Sequence, residues 1–364
     1  MNESSSREIG KRKKAKYIDT NQQESAKRPK KFPLSIWNIN NDNNETNDKQ
    51  ILYNPIILGD FSLSKEKPRK YHNNAHIPLI KNDIMLPIDL NLGFDAWHDD
   101  FKIENLDNLL HWICENNFSL SNIQLITYRG LIKKIAISRV DCYKNHWCMR
   151  LSKVGCSVLM DEIETDQNKN SKLSETHQQK KFTFYGHQFE KSMLDHKNSI
   201  PIESDIVVTS KIGDTRCIFA AEVDGKFDDG QIVELKTHRV LQNEYHINDF
   251  QRKKLMNTFM QCFLAGVKNA YFGFRDKHGF VHQLKNYEMS SIENMCQKHW
   301  NKEVMLLLLS DVLNWVIPLI ESDKVYHMSY LGSDHITLEL VDYVQYVPDW
   351  FIEFAKKPIH ENDN

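Results

Sequence analysis

Ala221-Glu222-Val223-Asp224-Gly225 and, after a short link, Ile232-Val233-Glu234-Leu235-Lys236-Thr237 are the stretches on which the reading of this chain turns. Side chains two apart on a strand face the same way, so Glu222 and Asp224 share one face, as do Glu234 and Lys236. Val223, Val233 and Leu235 then point to the other side, into a core. The link 226–230, with two Asp and a terminal Gly, is short enough to hairpin the strands together. Three carboxylates and one ammonium then face one patch. Crowded carboxylates repel, and a shared cation is the usual remedy. Oxygen ligands suit Mg²⁺ or Mn²⁺ rather than zinc. One or two such ions can bridge a phosphate, orient water and lower its pKa. Lys236 would stabilise charge on the phosphoryl oxygens or position the water, and sequence does not separate the two roles. The competing reading is a half-exposed sheet with a Glu–Lys cross-strand ladder.

Working outward, Phe184-Tyr185-Gly186-His187-Gln188-Phe189-Glu190 places a carboxylate after a glycine turn, early in a helix predicted near 187–196. Glu190 there can complete a metal shell, directly or through water. In a helix predicted over 250–265, Leu255, Phe259 and Cys262 form a core stripe at i, i+4, i+7. Lys254, Thr258 and Gln261 repeat that spacing on the adjacent stripe. A Lys and a Gln above an acidic centre can contact a backbone phosphate and its neighbouring ribose or base; solvated polar positions are the alternative. Arg129, in Ile126-Thr127-Tyr128-Arg129-Gly130, offers a bidentate clamp for a terminal phosphate, or equally a salt bridge closing a strand end.

Strands are predicted within 123–139 and 147–163, near 203–210, 215–224, 231–237 and 270–274, and at 280–284. A final hairpin pairs 326–330 with 336–341 around Gly332-Ser333-Asp334. Leu106, Leu109, Leu110 and Ile113 predict a short amphipathic helix, and a long helix is predicted over 289–319. The polar stretch 165–179 reads as an exposed loop. One mixed α/β domain over 51–364, behind a disordered basic tail over 1–50, is the expected organisation.

The formal charge of −2 is unevenly spread: residues 1–31 carry 10 Lys/Arg against 4 Asp/Glu. Lys11-Arg12-Lys13-Lys14 and Lys27-Arg28-Pro29-Lys30-Lys31 read as a bipartite nuclear import signal, or else as a solubilising tail. The nucleus is expected, with the cytoplasm also open. The 7 cysteines form no CxxC pair and no apolar stretch follows Met1, so a reducing cell interior is expected. Cys142, His146, Cys148 and Cys156 match no common zinc spacing. The most apolar run, Val304 to Ile320, contains Asp311 and Asn314 and is too short to span a bilayer comfortably, so no membrane role is expected.

Taken in order, these residues resemble the DXO/Rai1 (Dom3Z) family of eukaryotic decapping nucleases over roughly residues 51 to 341. The resemblance rests on Asp89-Leu90-Asn91-Leu92-Gly93-Phe94-Asp95, Tyr128-Arg129-Gly130, Gly186 to Glu190, Glu222-Val223-Asp224 and Glu234-Leu235-Lys236. Arg252-Lys253-Lys254-Leu255, Gln261 to Gly266 and Gly273-Phe274-Arg275-Asp276 add to it. The resemblance implies an α+β fold of two packed mixed β-sheets with flanking helices and an active site related to the PD-(D/E)xK nucleases. It implies that Glu190, Asp224, Glu234 and the Leu235 carbonyl hold Mg²⁺ or Mn²⁺, two ions being expected, with Glu222 acting largely through water. Lys236 and Gln261 would contact the scissile phosphate, Arg129 the RNA 5′ end, and Lys254 the backbone. The implied activities are hydrolysis of 5′-triphosphate, incompletely capped or NAD-capped RNA, and 5′→3′ degradation. His187 departs from the family pattern, which has a hydrophobic residue there. Two other readings remain: a PD-(D/E)xK-type DNA nuclease, and a stabilising partner of a nuclear 5′→3′ exoribonuclease.

Overall fold

In the computed structural model the apolar runs become two mixed β-sheets with helices on their faces. The structure describes residues 29–34, 51, 53–64, 69–98, 105–140, 146–195, 202–342 and 344–356. Among these, one sheet of ten strands has the order β1 (Lys30–Pro33), β15 (His335–Val341), β14 (Val325–Tyr330), β6 (Trp147–Val154), β7 (Ser157–Ile163), β5 (Leu125–Tyr128), β9 (Thr215–Val223), β8 (Ile202–Ile212), β2 (Ile56–Ser64) and β3 (Tyr71–Asn73). A second, of five strands, has the order β10 (Gly225–Lys226), β11 (Ile232–Arg239), β12 (Asn269–Arg275), β13 (Phe280–Glu288) and β4 (Ile88–Asp89). β5 is parallel to β7 and β9, and β11 to β12, which makes both sheets mixed. The helices are α1 (Asp107–Glu115), α2 (Arg129–Ala136), α3 (Asp166–Leu173), α4 (His177–Met193), α5 (Glu244–Asp249), α6 (Met256–Ala265), α7 (Met289–Cys296), α8 (Lys302–Val316) and α9 (Asp349–Lys356). A π-helical stretch, Phe250–Leu255, joins α5 to α6.

Strand β9 explains the layering. Cys217, Phe219, Ala221 and Val223 enter the main core, shared with α2, α6 and α8. Ile218 and Ala220 enter a second core on the opposite face, with Trp112 and Ile113 of α1 and Phe351 of α9. A strand covered on both faces needs a near-continuous apolar run, which 217–221 supplies. A third core packs Val233 and Leu235 of β11 against Phe184, Tyr185, Phe189 and Met193 of α4.

The expected hairpin between 215–224 and 231–237 does not form: β9 and β11 lie in different sheets. The chain crosses between sheets at Asp224, and the strand that pairs with β11 is the short β10, with Gly225 opposite Val233. A Cβ at Gly225 would stand 2.6 Å from Leu194 and 3.2 Å from the Pro78 carbonyl, so this crossing needs glycine.

Five other expectations are corrected. The supposed loop 165–179 is α3 and the start of α4, the second nucleated by a capping box between Thr176 and Gln179. Gly186 therefore lies inside α4 rather than before it. Arg129 opens α2 instead of sitting in a strand. The long helix over 289–319 is two, because Asn301 caps α8 by accepting from the Glu303 and Val304 amides. Finally, residues 30–34 do not belong to a disordered tail. β1 pairs with β15, Leu34 is 0 % exposed, and Phe32 packs on Trp315 at 5.5 Å. Burying Phe32 and Leu34 offsets the ordering entropy of this short segment. The rest of the tail and its first basic cluster lie outside the described residues, as does Cys142.

Candidate active site

Strand alternation builds the centre. Val233 and Leu235 are buried against α4, so Glu234 and Lys236 project the other way, toward α6. Glu234 is 1 % exposed, and its Oε1 accepts from both the Lys236 ammonium and Gln261 Nε2, the latter at 2.6 Å. Asp224 Oδ2 accepts from the Leu235 amide at 2.6 Å and lies 3.9 Å from Lys236 Nζ. The N–H and C=O of one strand residue project to the same side, so the Leu235 carbonyl also faces Asp224. Asp224, Glu234, Lys236 and Gln261 thus form one connected cluster, assembled from both sheets and α6.

Glu190 reaches the cluster from α4. One residue earlier, Phe189 packs its ring against Gly273 of β12, where a Cβ would stand 2.5 Å from the ring. That bare strand surface lets α4 approach closely and brings Glu190 near Asp224 and Lys236. His187 Nδ1 stands 3.9 Å from Glu190 Oε2 and its ring is 5.9 Å from Trp97. Tyr185 donates to Asn91 Oδ1 at 2.8 Å, and Asn91 in turn donates to the His278 carbonyl. The 89–95 motif therefore ties α4 to the smaller sheet. Glu222, one residue before the end of β9, lies close enough to Arg129 for that guanidinium to favour its charged form. The Arg129 side chain is 7 % exposed in all, and its Nη1 is buried with no hydrogen-bond partner.

The charges are under tension. Burial, and then the neighbouring Glu234, push the Asp224 carboxyl well above its usual pKa. Burial acts the same way on Glu234, but Lys236 and Arg129 outweigh it and hold that group below its usual value. Lys236 is raised because Glu234, Asp224 and Glu190 together overcome its burial. Glu222 opens to solvent, yet crowding by surrounding protein raises its pKa, and Glu203 adds to the effect. As the side chains stand, no three His, Cys, Asp or Glu among the described residues converge closely enough to hold an ion. Lys236 occupies the Glu234 oxygen that would take part. The donor set nonetheless fits a hard divalent cation: carboxylate oxygens, a carbonyl facing them, and an Asp224 whose charged form is disfavoured by burial and then by Glu234, a cost that a cation would offset.

Beside the cluster opens a cleft of about 410 Å³ lined by Lys133, Lys236, His238, Lys254, Thr258 and Gln261, among others. The predicted stripe of Lys254, Thr258 and Gln261 does share one wall. Lys133 and His238 were not anticipated. Lys133 falls at i+4 from Arg129 and becomes legible once Leu131, Ile132, Ile135 and Ala136 are read as the apolar side of a helix. His238 lies two residues beyond Lys236 on the same strand face.

An Asp at a sheet crossing, followed by Glu-x-Lys on a buried strand and flanked by a helix-borne Glu, defines the PD-(D/E)XK class of nuclease. Within that class the chain belongs to the RAI1 like PD-(D/E)XK nuclease family, whose profile matches residues 53–352. It is 28 % identical to the decapping nuclease RAI1 of Aspergillus fumigatus over 289 residues, 69 % of this chain and 79 % of that protein. It is 26 % identical to the human decapping and exoribonuclease protein over 340 residues, 82 % of this chain and 85 % of that one. The crystal structure of Candida albicans Rai1 in complex with pU5-Mn²⁺ shares the fold, with a TM-score of 0.76 at 17 % identity, covering 90 % of this chain and 100 % of that chain.

Proposed function

We propose that this protein is a divalent-metal-dependent hydrolase of RNA 5′ ends. Its substrates would be 5′-triphosphate, incompletely capped or NAD-capped RNA, with 5′→3′ exoribonuclease activity from the same centre. The observation that carries this reading is the buried Glu234 carboxylate, engaged by Lys236 and Gln261 at the foot of a lysine-lined cleft. The names of the fungal and human relatives support it, as does the pU5 and Mn²⁺ held by the Candida protein.

On this reading Glu190, Asp224, Glu234 and the Leu235 carbonyl would hold Mg²⁺ or Mn²⁺, in a pair, with Glu222 contributing through water. When bound, the metal polarises the phosphate and lowers the pKa of the attacking water. The protein's own groups do the positioning. Lys236 donates to a non-bridging oxygen of the scissile phosphate, where negative charge grows during in-line attack. The Gln261 amide orients the same phosphate from α6. Arg129 supplies its free Nη1 to the 5′ end, and its buried setting strengthens that contact. The Leu235 amide keeps Asp224 aimed at the centre. Lys254 steers the backbone into the cleft.

The test is product analysis on matched triphosphate, unmethylated-cap, methylated-cap, NAD-cap and monophosphate RNAs with Mn²⁺ or Mg²⁺. Pyrophosphate or cap-nucleotide release is expected, reduced at least about 100-fold in folded Asp224→Ala and Glu234→Ala proteins. Undiminished rates in both variants would remove the mechanism, and preference for matched DNA would overturn the substrate. Nuclear residence is part of the proposal and rests on the basic clusters. Replacing Lys11 to Lys14 by alanine should shift the protein toward the cytoplasm; an unchanged distribution would count against it.

A further inference from the structure

The cleft holds more positive charge than its acids use. Lys133 of α2 and Lys254 of the π-helical stretch both line it, together with Lys236 and Gln261. Among the described residues the ammonium of neither Lys133 nor Lys254 has an ion pair or hydrogen bond, whereas that of the neighbouring Lys253 is paired with Asp249 at 2.7 Å. Lys133 stands one turn after Arg129 on the same helix, the spacing at which like charges repel. Arg129 itself keeps a buried, unpartnered Nη1. Of the acids nearby, Glu234 is engaged by Lys236 and Gln261, Asp224 by the Leu235 amide, and Asp249, which itself lines the cleft, by Lys253. Burial, Arg129 and Lys236 bring Lys133 down to about 8, and burial with Lys236 brings Lys254 to about 8. Uncompensated cations gathered around a concave, partly desolvated space form a focused positive field, and an anion relieves it.

We propose that Lys133 and Lys254 form a two-ammonium phosphate subsite, holding a phosphate of the RNA other than the one presented to Lys236 and Gln261. The inference rests on the reading of this cleft as the RNA site and deepens it. Two lysines on opposed elements suit a phosphate whose exact position varies among substrates. An ammonium is a point charge on a flexible stem, whereas a guanidinium imposes a fixed fork. The phosphate can be internucleotide or part of a 5′ polyphosphate, since the chemistry of recognition is the same.

The test measures dissociation constants of labelled 5′-monophosphate and 5′-triphosphate oligoribonucleotides by anisotropy, in EDTA, across a salt series. The full chain is compared with Lys133→Met, Lys254→Met, the double variant and Lys133→Arg. Each single loss of charge should weaken binding about tenfold. The double variant should also flatten the salt slope by about 0.7, one single-strand phosphate contact, and each single variant by part of that. The double variant should lose less than the product of the singles, because both lysines serve one phosphate. Lys133→Arg should recover most of the affinity. Lys133→Met should melt above the parent protein, because it relieves repulsion, whereas a lysine needed for packing would lower the melting temperature when replaced.

Equal losses on both RNAs would assign an internucleotide phosphate, and a loss confined to triphosphate RNA would assign the polyphosphate; either sustains the subsite. Unchanged affinity and slope in Lys133→Met, with a parent protein that binds and hydrolyses RNA, would overturn the subsite and leave the proposed function standing. Fully multiplicative losses would overturn the sharing. A parent protein that neither binds nor hydrolyses RNA would overturn the function itself.

Discussion

At Glu234 two donors meet on one oxygen, and they do different work. Removing Gln261 leaves the ion pair with Lys236 in place, so Gln261→Ala should test orientation without unbalancing charge. A loss of about tenfold to a hundredfold in kcat/KM is expected, with about 1.5–3 kcal/mol of stability lost because the buried Glu234 gives up one of its two donors. Steady-state kinetics on triphosphate RNA and a melting curve check both parts. Two residues past Lys236, His238 is pushed down to about 4 by burial and then by nearby cations, net of a hydrogen bond to the Arg239 carbonyl. The unfolded chain therefore binds this proton more readily than the folded one. The stabilising contribution is fully present above about pH 6.5 and is lost as pH falls toward 4. His238→Phe should remove that part of the acid sensitivity in urea melts between those values. A pH dependence identical to the parent's would show that other groups carry it.

Helix α4 is the element that brings the most distant acid to the centre, and two of its glycine contacts separate support from incident. Gly273 of β12 faces the Phe189 ring at a distance that leaves no room for a Cβ, and Phe189 is fully buried and has nowhere to move. Gly273→Ala should destabilise by about 1–3 kcal/mol and also lower activity, because lifting Phe189 lifts Glu190 with it. Gly186 is different. It sits mid-helix with nothing within 4 Å of an added Cβ. Gly186→Ala should stabilise by about 0.5–1 kcal/mol through the unfolded chain while leaving the site in place. A motif glycine that reads as a turn is thus tolerant, and a strand glycine outside the catalytic residues is not. Calorimetry on the two variants decides the matter.

Across the whole molecule, the same surface is completed from both ends of the chain. β1 adds an outer strand beside β15, with Leu34 donating its amide to the Asp334 carbonyl and burying its side chain fully. Leu34→Ala should therefore cost about 2 kcal/mol or more, as for any fully buried leucine, even though it lies in a polar, basic stretch. A melting temperature equal to the parent's would mean that the segment contributes no packing. Most interior strands were legible, since β6 to β9 and β11 to β15 carry strong apolar or alternating patterns, but β2, paired on both sides, was not predicted. Segment 165–179 was not, because its polar helices are specified by caps at Thr165 and Thr176 rather than by an apolar face. β1 was not legible either, since a four-residue edge strand is too short to show a period.

Sequence alone determined that Glu234 and Lys236 share a strand face and turn away from the core that takes Val233 and Leu235. Strand alternation is a local property, and Glu-x-Lys between buried Val233 and Leu235 leaves no other choice of face. It also determined that Lys254, Thr258 and Gln261 share a wall, because helical periodicity is local too. Only the tertiary structure decided that Glu222 and Glu234 belong to different sheets, that Asp224 sits at the crossing, and that Lys133 faces the same cleft from α2. The crossing at Asp224 depends on how Gly225 lets Leu194 pack against bare backbone, and the approach of Glu190 on how Gly273 does the same for Phe189. Close approach between segments distant in sequence leaves no period in the chain that would announce it.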